Sequence, residues 1–237
     1  MSRYISKKYL EIIEKTKTKP IQLVRAGKSM RMHNHRDPCC IADIEFDFIY
    51  DFVKKHKLKN GYEVATAFGV SMLAPALAMK EYGGRLVTMD AYIEEKHNDC
   101  MAYQGSQKTF ENADGFRVAN SLVDMYALKD VVNIHVGFSP RDTERALKTK
   151  FNLKIDKLDY VFIDGLHTDD AVKKDLTSIL PYLNRNRFVV FFHDTHCFSG
   201  NTKKFIQDKL GKPLRLIPKC EHPSGEGFNL AMITNLE

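Results

Sequence analysis

Acidic and imidazole side chains follow two strongly apolar runs in the second half of the chain. The first run is followed by Asp164 and His167, and the second by residues 193–196, His-Asp-Thr-His. If these runs are neighbouring strands, two carboxylates lie about 5 Å apart and repel each other unless a cation lies between them. Oxygen donors suit Mg²⁺, Mn²⁺ or Ca²⁺, and added imidazoles favour Mn²⁺ or another transition metal. The pattern predicts a divalent-cation site.

A second candidate site is the turn after an earlier apolar run, Glu63-Val-Ala-Thr-Ala-Phe-Gly-Val-Ser71. Small residues at 65, 67 and 69 let a ligand approach the backbone closely. A dinucleotide fingerprint would place its third glycine one position later, at Val70, which argues against NAD. Asp90 stands 21 residues after Gly69, where a carboxylate suits the two hydroxyls of a ribose. The alternative is a tight strand–helix turn with no ligand.

Alternating strands and helices are predicted to position both sites. After an amphipathic helix at 41–57, whose apolar face is predicted to include Ile44, the pattern predicts strands at 62–66, 85–90, 131–137, 158–163 and 187–192. The intervening helices are predicted near 71–82, with Pro75 in the first turn, and near 118–128, 141–150 and 171–183, followed by a helix at 201–210 and a closing hairpin of 214–218 with 228–234. Such a pattern indicates an α/β fold with a Rossmann-like, doubly wound, mostly parallel sheet and a C-terminal antiparallel hairpin. Ligands bind such sheets at the carboxyl ends of the strands.

The positive charge of the chain is concentrated at its beginning. The net charge is +6 over 237 residues, yet residues 1–36 contain ten Lys or Arg and two Glu, which leaves a balance of −2 for the remainder. We therefore divide the chain into a segment at 1–40 and a Rossmann-like domain at 41–237. The first segment has a basic helix near 5–15, and its residues 28–40 are either a lid over the pocket or a mobile loop. Met30, Met32, His33 and His35 are candidates for contact with substrate or cofactor.

Composition and cysteine content indicate a globular protein of a reducing compartment. Apolar residues make up 43% and charged residues 28%, which excludes a disordered or fibrous chain. The five cysteines show no CxxC spacing, so a Cys-type zinc site is disfavoured. No apolar run approaches the roughly 18 residues of a membrane span, and the charged N-terminus is unlike a signal peptide. We expect a cytoplasmic protein without a membrane partner.

The turn at 62–71 resembles motif I of class I S-adenosylmethionine-dependent methyltransferases, E-x-G-x-G-x-G. Glu63 and Gly69 match it, while Ala65 and Ala67 stand where the family usually has glycine. Asp90 matches the ribose-binding acid, and residues 136–139, Val-Gly-Phe-Ser, resemble the loop near the adenine. The resemblance implies S-adenosylmethionine as cofactor. The cofactor contacts that follow are Glu63, Ala65, Ala67, Gly69, Ser71, Asp90, Ser139 and Asp164.

Residues 159–196 resemble a bacterial methyltransferase group with the pattern F-I-D-G-x-H-x-Y-x-x-V-x-x-D-L and a later H-D. This group is similar in layout to cation-dependent catechol- and caffeoyl-CoA-type O-methyltransferases. The similarity implies Asp164 and Asp194 as metal ligands, with Thr195 where those enzymes have Asn and His193 beside it. It implies methylation of a small-molecule hydroxyl assisted by a divalent cation, and a homodimer. His167 is the first candidate for general base and His196 the second, since imidazole titrates near neutrality.

Three other functions remain open at this stage. A nucleic-acid methyltransferase would use the basic arm at 1–36 to bind phosphates, although the chain has no aromatic-interleaved basic motif and no Asn-Pro-Pro-Tyr-type tetrapeptide. A non-catalytic relative would keep the fold as a binding module, which is the interpretation that the two alanines of motif I favour. A sugar-modifying or cephalosporin-hydroxylase-like relative would share a similar Asp–His motif after the fourth strand, which here is Asp164-Gly-Leu-His167.

Overall fold

A computed structural model describes residues 41, 43–67, 69–91, 114–154, 157–217 and 229–237. The basic helix, the lid, the histidines at 33 and 35 and the methionines at 30 and 32 lie outside the described residues.

In the described part, α1 spans Asp43–His56, and each of the next five strands has a helix after it. The strands are β1 Asn60–Val64, β2 Arg85–Asp90, β3 Val132–Val136, β4 Tyr160–Ile163, β5 Val189–Phe192, β6 Arg215–Leu216 and β7 Ala231–Thr234. The helices after α1 are α2 Val70–Lys80, α3 Asp114–Met125, α4 Thr143–Lys148, α5 Asp169–Ile179 and α6 Gly200–Leu210, with a 3-10 turn at Thr195–Cys197.

The seven strands form one sheet in the order β3-β2-β1-β4-β5-β7-β6. The first five are parallel, whereas β7 is antiparallel to both β5 and β6. The α/β fold with a doubly wound, mostly parallel sheet and a C-terminal hairpin is therefore confirmed. Strand order reverses between β1 and β4, so the carboxyl ends of these two strands border the crevice where such sheets bind ligands.

Both faces of the sheet are buried, which explains why the central strands have continuous apolar sequences. One face packs Tyr160, Phe162 and Phe191 against α1, α2 and α3. The other packs Val161 and Phe192 against α4, α5 and α6. Successive residues of a strand point to opposite faces, so a strand that is covered on both sides needs apolar residues at every position.

Two local predictions were wrong. Ile44 was placed on the buried face of the first helix, but it is 41% exposed, and Glu45, Phe46 and Ile49 are buried instead. Pro75 was placed in the first turn of its helix, but α2 begins at Val70 directly after Gly69, so the proline lies in the second turn. Among the described residues, no helix has the length and apolar character that crossing a membrane requires.

Candidate functional site

The turn after β1 is built from three residues in the left-handed region of backbone space. The φ angles are 70° at Ala65, 44° at Ala67 and 83° at Gly69. The Ala65 N–H donates to the Met89 carbonyl (2.8 Å), and the Ala67 N–H donates to Oδ2 of Asp90 (2.9 Å). The half-buried Asp90 thus holds the turn through one carboxylate oxygen. The same carboxylate is the predicted contact for a ligand.

Glycine at 65 or 67 is expected to stabilise the protein. A left-handed conformation costs an L-residue about 1–2 kcal/mol, whereas glycine adopts it freely. Glycine in turn lowers the free energy of unfolding by about 0.5–1 kcal/mol, because the unfolded chain is more flexible. Ala65→Gly and Ala67→Gly should each raise the free energy of unfolding in urea by about 0.5–1 kcal/mol. Ala171→Gly, inside α5, is the matched control and should lower it by about 1 kcal/mol. A loss of stability in both turn variants would contradict the assignment of backbone strain.

Glu63 supports this turn from the interior. Its side chain is fully buried, Thr88 donates a hydrogen bond of 2.5 Å to Oε2, and the hydroxyls of Thr88 and Thr66 lie 2.6 Å apart. Burial raises the pKa of Glu63 to about 8, although hydrogen bonds from Ser71 and Thr88 act in the opposite direction. The carboxyl group therefore ties the ends of β1 and β2 together, and the cofactor contact predicted for Glu63 stays a prediction.

The loop after β3 is fixed by a buried carboxylate. Ser139 donates a hydrogen bond of 2.5 Å to Oδ1 of Asp175, which lies on α5 with 4% of its surface exposed. Burial raises the pKa of Asp175 from 3.8 to about 6. Tyr62 and Ser178 both bond the Thr143 hydroxyl, at 3.2 and 3.3 Å, and complete the polar cluster around this loop.

The raised pKa predicts that Asp175→Asn increases stability at neutral pH. The folded protein binds a proton at Asp175 more tightly than the unfolded chain, so this group lowers stability as the pH rises from about 4 to about 6. A shift from 3.8 to about 6 corresponds to about 3 kcal/mol at most. In urea unfolding, the advantage of the variant over wild type should therefore be small at pH 4 and should approach this value at pH 7.

The exposed Asp170 on the same helix supplies the matched control, because it pairs with Lys174 at the surface. Asp170→Asn should change the free energy of unfolding by less than about 1 kcal/mol at both pH 4 and pH 7. An Asp175→Asn difference that is equally flat would contradict the raised pKa.

The acids and histidines after β4 and β5 converge. Asp164, His167 and Asp194 each offer a ligand atom within 4.8 Å of the others. Nε2 of His167 lies 3.3 Å from Oδ1 of Asp164, and its Nδ1 lies 3.2 Å from Oδ2 of Asp194. The parallel hydrogen-bond pattern continues just past the ends of the strands. The Asp164 N–H donates to the Val64 carbonyl, and the His193 N–H donates to the Ile163 carbonyl. The carboxyl ends of β1, β4 and β5 are thereby aligned.

Asp194 leaves β5 through a left-handed conformation with a φ of 49°. Burial opposes the ionisation of Asp194, but His193, His167 and His196 hold its pKa well below the usual range. Two carboxylates and an imidazole at these separations fit a divalent cation of the Mg²⁺ or Mn²⁺ type. Asp164, Asp194 and His167 are the described residues that could hold it.

His193 is engaged at both ring nitrogens. Nδ1 lies 3.0 Å from Oδ1 of Asp164 and 3.7 Å from Oδ1 of Asp194, while Nε2 lies 3.3 Å from Oε2 of Glu45. Burial disfavours the charged imidazole, but the three carboxylates together raise the pKa of His193 well above its usual value. His193 therefore contacts carboxylates through both ring nitrogens next to the Asp164–His167–Asp194 group, and its role as a metal ligand stays a prediction.

Glu45 was missed at the sequence level. It is 1% exposed and reaches the site from α1. Its sequence signal is an acid four residues after Ile41 and four before Ile49, both of which are buried. This spacing places Glu45 on the buried face of the helix. Because burial of an unpaired charge is costly, the carboxylate needs a partner, and His193 is one.

The remaining predicted residues border the site. His196 is more distant, with Nδ1 at 3.9 Å from Oδ1 of Asp194 and Nε2 at 3.3 Å from Sγ of Cys197. Thr195 is 1% exposed, and its N–H donates to the Asn229 carbonyl (3.2 Å). Ser71, 8% exposed, lies in the first turn of α2. The roles predicted for these residues in catalysis, metal binding or cofactor binding stay predictions.

Solved structures share this fold at low sequence identity. An O-methyltransferase from Bacillus cereus in complex with SAH has a TM-score of 0.61 at 14% identity, over 99% of this chain and 96% of that one. The O-methyltransferase TomG from Streptomyces achromogenes in complex with SAM has a TM-score of 0.58 at 15% identity, over 97% and 88%. An SAH-bound methyltransferase from Podospora anserina has a TM-score of 0.56 at 14% identity, over 94% and 86%.

Sequence comparison finds no match among curated proteins. The family model described as "Methyltransferase domain", however, matches residues 63–195, which extend from the motif I acid on β1 to the turn after β5. This range covers more than half of the chain and contains Asp90, Asp164, His167 and Asp194. The chain therefore belongs to the methyltransferase-domain family.

Proposed function

We propose that this protein transfers a methyl group from S-adenosylmethionine to a hydroxyl of a small molecule, with the help of a divalent cation. The observation that carries the proposal is the convergence of Asp164, His167 and Asp194 at the carboxyl ends of β4 and β5. This group stands beside the turn after β1, at the point where strand order reverses. The predicted cofactor contacts and the acid–imidazole group would therefore lie at the same edge of the sheet.

The turn and Asp90 support the cofactor assignment. The left-handed residues Ala65, Ala67 and Gly69 give a compact turn at the carboxyl end of β1, and Asp90 ends the neighbouring β2. A carboxylate at that position suits the ribose hydroxyls of an adenosyl group. The three similar methyltransferase structures from Bacillus cereus, Streptomyces achromogenes and Podospora anserina contain SAH or SAM, which supports the same cofactor here.

The paired acids support a site that activates the acceptor. A divalent cation, when bound, lowers the pKa of a hydroxyl that it coordinates. Of the three residues that could hold the cation, we assign Asp164 and Asp194 to it and keep His167, whose ring lies between the two carboxylates, for proton transfer. We assign His167 the role of general base, with His196 as the alternative, because the latter lies farther from Asp194.

Methyl transfer from a sulfonium needs alignment more than covalent chemistry. Bound S-adenosylmethionine would supply the methyl group and become S-adenosylhomocysteine as its carbon–sulfur bond breaks, and His167 would take the proton of the acceptor hydroxyl. The chain contributes by holding the acceptor in line with the methyl group and by removing that proton. Both tasks are assigned here to side chains of one crevice.

The test combines calorimetry with product analysis. S-adenosylhomocysteine should bind the wild-type protein, and incubation with S-adenosylmethionine, Mn²⁺ and a library of phenols, catechols and sugars should give products heavier by one CH₂ unit. EDTA should stop the reaction, and added Mn²⁺ should restore it. Failure to bind the cofactor would favour the non-catalytic relative, whereas products heavier by one oxygen atom would favour the hydroxylase-like one. Methylated RNA or DNA would favour the nucleic-acid methyltransferase.

A further inference from the structure

One buried carboxylate near the crevice has no part in the mechanism described above. Asp175 lies on α5, is 4% exposed and accepts a hydrogen bond of 2.5 Å from the Ser139 hydroxyl. It is the acid of the V-x-x-D-L pattern, which neither the cofactor turn nor the acid–imidazole group uses. Its contact reaches the loop after β3, where Ser139 is a predicted cofactor contact.

The same carboxylate also explains the glycine that follows Asp164. A Cβ atom at Gly165 would lie 3.2 Å from Oδ2 of Asp175 and 3.1 Å from Cγ1 of Val64. The turn after β4 therefore passes close over Asp175 because residue 165 lacks a side chain. One oxygen of Asp175 faces the loop after β3, and the other lies beneath the turn that carries Asp164 and His167.

A structural role alone does not account for a charge at this position. Burial raises the pKa of Asp175, which means that the ionised form lowers the stability of the folded protein at neutral pH. An asparagine would occupy nearly the same volume and would still accept a hydrogen bond from Ser139, without that cost. What the carboxylate adds is a stronger, charge-assisted hydrogen bond to the serine hydroxyl.

We propose that Asp175 is a positioning residue for the cofactor site, whose carboxylate fixes the Ser139 hydroxyl and thereby holds the loop after β3 in its binding conformation. This inference rests on the proposed function, because it assigns the loop to the adenosyl cofactor. It predicts that Asp175 acts on cofactor affinity through Ser139 and not through the stability of the fold.

A double-mutant cycle tests this, with the dissociation constant of S-adenosylhomocysteine measured by calorimetry at pH 7.5. Ser139→Ala and Asp175→Ala should each weaken binding by about tenfold, the size expected for a hydrogen bond to a charged group. The double variant should bind no more weakly than either single variant, since both changes remove one interaction. Asp175→Asn should retain part of the affinity while unfolding at a higher temperature than wild type.

Turnover adds a second readout. Asp175→Asn should raise the KM for S-adenosylmethionine with little change in kcat, and Asp170→Asn, on the exposed side of the same helix, should change neither. Additive losses in the double variant, or an Asp175→Asn variant with wild-type affinity, would overturn the inference while leaving the proposed function intact. A wild-type protein that binds no S-adenosylhomocysteine would overturn both. If Asp175→Ala does not fold, unchanged affinity in Ser139→Ala alone overturns the inference.

Discussion

Substitution of both Asp164 and Asp194 by asparagine is expected to lower kcat by about a thousandfold, or about 4 kcal/mol of transition-state stabilisation. Two effects contribute. Neutral amides bind a divalent cation more weakly than carboxylates do, so the acceptor hydroxyl keeps its ordinary pKa. His167 also loses the two carboxylates, 3.3 and 3.2 Å away, that fix its ring. Initial-rate kinetics with and without EDTA and added Mn²⁺ measure both.

Chelation separates the two effects. Wild-type activity should disappear in EDTA and return with Mn²⁺, whereas the double asparagine variant should respond to neither. Asp170→Asn is the matched control, since this acid is exposed and pairs with Lys174 on the same helix. Wild-type turnover that is indifferent to EDTA would remove the cation from the mechanism and leave His167, held between two acids, as the whole of the activating site. A double variant as active as wild type would remove both.

Much of the fold was predictable because burial on both faces of a parallel sheet leaves a strong signal. The strand that ends at Asp90 was predicted with the bounds that the structure shows, and the other central strands differ from prediction by a few residues at their ends. The prediction was weaker for α1, where polar and apolar residues mix. Hydrophobic periodicity locates the buried face of a helix only to within about one residue. Whether Ile44 or Glu45 is buried therefore depends on tertiary contacts.

The site was predictable to the extent that fold rules place it. Asp164, His167, His193 and Asp194 were identified because the carboxyl ends of neighbouring parallel strands must lie side by side. Glu45 was not, because it approaches from a helix 148 residues before its partner His193. The helical spacing of Glu45 indicates that it is buried, but no local pattern identifies so distant a partner. The pairing of Ser139 with Asp175 escaped prediction for the same reason, as 36 residues separate them.

The alanines of motif I show how structure changes the meaning of a sequence departure. Alanine at 65 and 67 first favours a relative that has lost its cofactor. Both alanines nevertheless adopt left-handed backbone conformations, with φ angles of 70° and 44°, in the stretch where the family usually has glycine. The turn therefore forms in spite of its methyl groups, and the departure is expressed as strain in the backbone.

Substitution of Asp90 by asparagine is expected to weaken S-adenosylhomocysteine binding by about a hundredfold, or about 3 kcal/mol, while the fold is retained. Asparagine keeps a side-chain oxygen that can accept the 2.9 Å hydrogen bond from the Ala67 N–H. In the variant an NH₂ group replaces the other carboxylate oxygen, and this group cannot accept a hydrogen bond from a ribose hydroxyl. The variant therefore separates ligand binding from support of the turn.

Asp90→Ala removes both roles and supplies the comparison for calorimetry and thermal unfolding. It should lose at least as much affinity as Asp90→Asn and, in addition, unfold at a lower temperature, because the Ala67 N–H loses its acceptor beside a strained turn. An asparagine variant with wild-type affinity would mean that Asp90 serves the turn alone. A ribose diol would then have to be recognised elsewhere, and the adenosyl cofactor would lose its main acidic contact in the described part of the chain.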